Sequence, residues 1–124
     1  MRKIVITVAG RTLAATLNDS PTATQVWDAL PIQAEASVWG DEIYFEIPVD
    51  APQAPDARAT VEVGTLGYWP VGNALCIFYG PTPVSTDAQP RAYSPVNILG
   101  EVTDDATELR GTRHGAPVRI DRAR

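Results

Sequence analysis

The chain has one cysteine, Cys76, so no intramolecular disulfide can form. It lies in the apolar run from Ala74 to Tyr79, where a reduced thiol packs as a small hydrophobe, and a reducing, cytoplasmic setting is expected. Histidine is equally scarce. A serine triad would have to use His114, yet no nucleophile motif surrounds Ser20, Ser37, Ser85 or Ser94. One histidine and one distant cysteine also leave a tetrahedral zinc site short of ligands. Asp104, Asp105 and Glu108 read as helix capping rather than calcium ligation. Neither a metal nor a cofactor is therefore expected. Gly64-Thr65-Leu66-Gly67 lacks the lysine and helix that complete a phosphate loop.

Long apolar runs are missing too. Met1-Arg2-Lys3 followed by Ile4 to Val8 begins as a signal peptide does, but polar Thr7 and the turn at Gly10-Arg11 cut the run short. No other stretch is long enough for a membrane-spanning helix, so no membrane partner is expected. Basic residues number 10 against 15 acidic, for a net charge of −5, and no basic stripe runs through the body to attract phosphates; nucleic acid is not an expected partner. Arg110, Arg113, Arg119, Arg122 and Arg124 form a local exception, read as a solvated terminal strand.

What remains suffices for one core. Hydrophobic residues at 44% and charged residues at 20% are near globular averages, so the chain should fold despite 11 prolines. With 124 residues, no repeat and no linker, residues 1–124 are expected to form a single domain. Ile4, Ile6 and Val8, then Leu13, Ala15 and Leu17, alternate around Gly10-Arg11 as a hairpin would. Ser20 can cap a helix with Pro21 at its first position. Ala23, Val26, Trp27 and Leu30 fall at helical spacing before Pro31 ends it.

A second hairpin is predicted around Trp39-Gly40-Asp41-Glu42, with Ile43, Phe45 and Ile47 facing inward and Tyr44 and Glu46 outward. Residues 48–56, with prolines at 48, 52 and 55, read as a surface loop. Val61, Val63, Leu66, Tyr68 and Trp69 suggest a strand bent at Gly64 and Gly67, and Pro70-Val71-Gly72 turns it back into a doubly buried strand at Ala74 to Tyr79. Gly80 to Pro95 reads as a long irregular segment. Val96 to Val102 forms another strand, Asp105 to Glu108 a short helical turn, and Val118 with Ile120 the last strand. With about eight strands, one clear helix and no βαβ order, a mostly β closed barrel is expected.

Three stretches carry a resemblance. They are Gly40-Asp41-Glu42-Ile43-Tyr44-Phe45, the run from Gly67-Tyr68-Trp69-Pro70 through Gly72-Asn73-Ala74-Leu75-Cys76 to Pro83, and Ser94-Pro95-Val96-Asn97-Ile98-Leu99-Gly100. In this order they resemble the small bacterial cyclophilin-like family. The resemblance implies an eight-stranded cyclophilin-type barrel with an external groove. In true cyclophilins an arginine on the strand after the first helix polarises the prolyl amide. The corresponding strand here, Ile43-Tyr44-Phe45-Glu46-Ile47, has no arginine, and the Gly-Ser-Gln-Phe-Phe signature is replaced by Gly72-Asn73-Ala74-Leu75-Cys76.

The candidate groove residues are Tyr44, Glu46, Tyr68, Trp69 and Asn73, together with Pro81, Thr82 and Ser85 of the following loop. Tyrosine and tryptophan can stack a ligand while their polar tips find partners. Glu42 and Glu46 flank Tyr44 on one strand face, and the expectation for both is a solvated position. The leading functional reading is a binding module for a small molecule or an extended peptide containing Xaa-Pro. An alternative is a peptidyl-prolyl isomerase in which Tyr44 or Asn73 stands in for the arginine, against a rotation barrier of about 18–20 kcal/mol. A third is a structural subunit that self-associates as a homo-oligomer through the proline-rich loop 48–56.

Overall fold

A computed structural model describes residues 2–123. Alternating apolar residues make β1 (Arg2–Val8) and β2 (Arg11–Leu17) a hairpin that buries Ile4, Ile6 and Val8 against Leu13, Ala15 and Leu17. Its two-residue turn holds Ala9 and Gly10 at φ 50° and 85°, the left-handed geometry that matches strand twist. The chain then enters α1 (Pro21–Ala29). The Ser20 hydroxyl accepts from the Ala23 N–H at 3.2 Å, and Pro21 sits where no amide donor is needed. Ala23 and Val26 turn into the core.

The remaining strands are β3 (Ile32–Glu35), β4 (Ser37–Val38), β5 (Glu42–Glu46), β6 (Arg58–Thr60), β7 (Thr65–Trp69), β8 (Ala74–Phe78), β9 (Arg91–Val102) and β10 (Pro117–Arg122). All pairings are antiparallel, in the order β3-β10-β1-β2-β9-β7-β8-β5-β4, with β6 attached to β9. The strands at the two ends of this order, β3 and β4, are separated in the chain by Ala36 alone.

The sheet has an apolar cluster on each side. The larger includes Ile4, Leu17, Ile43, Leu66, Leu75, Ile77 and Leu99, all fully buried. Truncating any one to alanine would cost about 2–5 kcal/mol. The smaller cluster, on the opposite face of β5, β7, β8 and β9, contains Val61, Cys76, Phe78, Ala92 and Val96. Strand β8 is buried throughout because it lies between both clusters, as its unbroken apolar run predicts.

Two expectations need correction. Among the described residues the strands number ten rather than about eight, and the segment from Gly80 to Pro95 is not irregular to its end, since β9 starts at Arg91. Thr60 and Arg58 of β6 pair with Arg91 and Val96, which extends β9 beyond its apolar half. Pro95 is tolerated because pairing with β7 begins only at Asn97. A register shift does fall beside Gly67, but its extra residue is on the facing strand β9. The β7–β9 register passes from Leu66↔Gly100 to Gly67↔Ile98, a bulge that skips Leu99. The other predicted break, Gly64, lies in the turn before β7. The basic segment ends in the last strand, β10, where Arg119 and Arg122 are exposed; β10 pairs on both sides, and Arg122 lies 4.4 Å over the Trp27 ring. Arg124 of that segment, like Met1, lies outside the described residues.

Candidate functional site

The smaller cluster floors a cavity of about 220 Å³ on the outer face of the sheet, lined by Trp39, Glu42, Tyr44, Trp69, Cys76, Ala92, Tyr93 and Val96. Strand register explains why these residues meet. Trp39 and Glu42 close the β4–β5 hairpin by exchanging backbone bonds, Trp39 N to Glu42 O at 2.9 Å and Glu42 N to Trp39 O at 3.2 Å. Directly opposed residues project to one face, and Tyr44, two residues on, shares it. Tyr44 is paired with Cys76 of β8, and Cys76 with Gly67 of β7; Trp69 follows two residues later. The missing side chain at Gly67 lets Val96 of β9 close the floor, since a Cβ there would lie 2.7 Å from Val96 Cγ2.

Four aromatic rings stand around this floor. Trp39 meets Tyr93 at 6.2 Å between centroids and 74°, Tyr93 meets Trp69 at 6.3 Å and 84°, and Trp69 meets Tyr44 at 6.5 Å and 78°. Each edge-to-face contact turns the next ring almost a right angle, so the rings form successive walls. Trp69 is held by its indole N–H, which donates to Ser94 Oγ at 2.6 Å, and by the 3-10 turn Pro70–Gly72, whose glycine leaves room for the indole. Tyr93, 74% exposed, stands at the mouth.

Glu42 is the charged group of the cavity and is only 5% exposed. Among the described residues its Oε1 has no hydrogen-bond partner, and no lysine, arginine or histidine lines the cavity. The Cys76 thiol on β8 shares the cavity lining with it. Burial raises the Glu42 carboxyl from 4.5 to about 7, with the thiol contact pulling weakly the other way. Burial also pushes the Cys76 thiol well up, and the adjacent carboxylate adds to this, so Cys76 stays a neutral thiol rather than a nucleophile. Tyr79, at the end of β8, is pushed up to about 12 by burial and then by Asp41 and Glu42.

Of the residues proposed from sequence, Tyr44 and Trp69 line the cavity. Tyr68 does not. It points to the larger core, 0% exposed, and its hydroxyl donates to the Val49 carbonyl at 2.7 Å while accepting from Ala51 N and Asn73 Nδ2. Strand alternation makes this unavoidable, because adjacent Tyr68 and Trp69 must face opposite sides. Asn73 spends its amide on Tyr68, Val49 and Asp50 in a left-handed position ending the 3-10 turn. Glu46 is exposed at the far end of β5, as expected, but outside the cavity.

Pro81, Thr82 and Ser85 also lie outside the lining. The Pro81 carbonyl accepts from Asp41 N at 3.0 Å, and Ser85 Oγ accepts from Thr82 N at 2.9 Å, so their loop braces the turn that carries Trp39 and Glu42. The solvated reading of Glu42 is overturned: period-two alternation places it on the outer face, but that face is covered locally by the aromatic walls. Trp39, Glu42, Cys76, Ala92, Tyr93 and Val96 were not among the predicted groove residues. The hairpin closing at Trp39 and Glu42 was the signal available for the first two. Tyr93 offered none while its segment read as irregular.

The comparisons with known proteins agree with this fold. A family model described as cyclophilin-like matches residues 2–121. The solution structure of the hypothetical protein AF2241 from Archaeoglobus fulgidus is similar, with 34% identity, a TM-score of 0.82, and coverage of 98% of this chain and 95% of that one. No curated protein matches the chain. With a mostly β antiparallel sheet, one helix and a family match over nearly its whole length, the chain belongs to the cyclophilin-like family.

Proposed function

We propose that the protein is a ligand-binding module whose site is the aromatic-walled cavity on the outer face of β5, β7, β8 and β9. The observation that carries this reading is a preformed concave site with a buried carboxyl whose Oε1 lacks a protein partner. Largely apolar walls with a few convergent polar groups are the usual composition of small-molecule sites. At about 220 Å³ the cavity is smaller than those that take drug-sized ligands, which favours a small molecule or a head group over an extended peptide. The sheet is read as a closed barrel with the larger cluster inside and the cavity outside. Support comes from β3 and β4, which end the strand order on opposite sides yet are joined through Ala36.

A fragment titration followed through tryptophan indole N–H resonances tests the site. Fragments that bind should shift Trp39 and Trp69 while leaving Trp27, on α1, unmoved. Tyr44→Ala combined with Trp69→Ala should weaken binding about tenfold or more, through the lost stacking surface. Fragment affinities unchanged in that double variant, or binders that move only Trp27, would remove the cavity as the site.

A further inference from the structure

We propose that the cavity selects a small alkylammonium ion, held against the faces of Trp39, Tyr44, Trp69 and Tyr93 and paired with the Glu42 carboxylate. This rests on the cavity being the ligand site and adds the chemical class of the ligand. Two independent features of the walls and floor converge on it. Aromatic faces carry negative quadrupole potential, and rings set at 74–84° to one another around a small volume form the kind of enclosure that attracts an organic cation whose charge is spread over its methyl groups. A neutral apolar guest would fill the same space but leave Glu42 Oε1 unpaired.

The floor supplies the second feature. Buried carboxylates are normally paired with a cation or a set of donors. Here the described residues lining the cavity provide neither a lysine, an arginine nor a histidine, and Glu42 Oε1 has no hydrogen-bond partner among them. The other titratable groups of the lining, the hydroxyls of Tyr44 on the same strand and Tyr93 on β9, bring no positive charge. The counter-cation must therefore come from the ligand, and an anionic ligand would be repelled by the same carboxylate. An N–H on the ligand cation would also satisfy Oε1, a charge-assisted bond stronger than a neutral one.

The test uses the whole protein at pH 8, titrated with trimethylammonium and, separately, with tert-butanol as a neutral molecule of similar size. Trimethylammonium should shift the indole resonances of Trp39 and Trp69 but not Trp27, and should bind about tenfold or more tightly than tert-butanol. Glu42→Gln should remove most of that preference. Tyr93→Leu, at the exposed mouth, keeps apolar bulk without the quadrupole and should also weaken the cation selectively. Equal affinity for the two probes, or a cation affinity unchanged in Glu42→Gln and Tyr93→Leu, overturns the ammonium assignment while the shifted indoles keep the cavity as a binding site. If trimethylammonium moves neither indole, the assignment also fails, and the fragment titration separately decides whether the cavity binds anything else.

Discussion

Glu42 is held where solvation is poor and no counter-charge compensates. Unfolded, its carboxyl titrates near the ordinary value of 4.5; folded, near 7. The folded chain thus holds the proton more tightly across that window. The stability this contributes is fully present below pH 4.5 and is lost as pH rises through 7. Urea denaturation should show the wild-type protein losing about 2–3 kcal/mol between pH 5 and pH 8 from this group, and Glu42→Gln should flatten that segment of the profile. A wild-type profile as flat as the variant's would mean that the carboxyl is solvated in the folded protein. A carboxyl that costs stability at neutral pH fits a group kept for a ligand rather than for the fold.

At the scale of elements, the site depends on how the β7–β8 connection carries its aromatic. Trp69 ends β7, and the 3-10 turn Pro70–Gly72 folds directly behind it. A Cβ at Gly72 would lie 2.7 Å from Trp69 Cε3 and Cζ3, closer than side chains tolerate. Gly72→Ala must therefore displace the indole or the turn. The expected cost is about 1–3 kcal/mol by thermal or urea unfolding, with a moved Trp69 indole resonance and weakened ligand binding. A variant with unchanged stability and an unmoved Trp69 signal would show that the turn has slack. The β4–β5 hairpin plays the matching role on the other side, since its two-residue turn sets Trp39 and Glu42 opposite each other.

For the whole molecule, the resemblance to cyclophilins raises the question of prolyl isomerisation, which makes a definite demand on the donors at the cavity. Lowering a barrier of about 18–20 kcal/mol needs a donor that binds the twisted amide better than the planar one. Among the described residues no arginine lines the cavity, the Asn73 amide is committed to Tyr68, Val49 and Asp50, and Glu42 offers a carboxyl. Catalytic amounts of the protein should leave cis/trans exchange of Xaa-Pro peptides, followed by exchange NMR, at its uncatalysed rate. Faster exchange that disappears in Tyr44→Phe would instead assign the donor role to that hydroxyl.

The first hairpin, the capped helix, the β4–β5 hairpin and the doubly buried β8 were legible in the sequence by itself. Each is encoded locally, by period-two alternation, by an unbroken apolar run, or by Ser20 and Pro21. Tyr44 and Trp69, named as groove residues with the help of the cyclophilin-like resemblance, line the cavity. Tertiary structure alone decided the rest. The pairing of β6 with β9 across more than thirty residues made a strand of Arg91 to Pro95 and placed Tyr93 at the cavity mouth. Whether an outward-facing glutamate meets water depends on what another part of the chain lays over it. Alternation specified the face that Glu42 occupies, and aromatic side chains from β7 and β9 turned that face into a buried one.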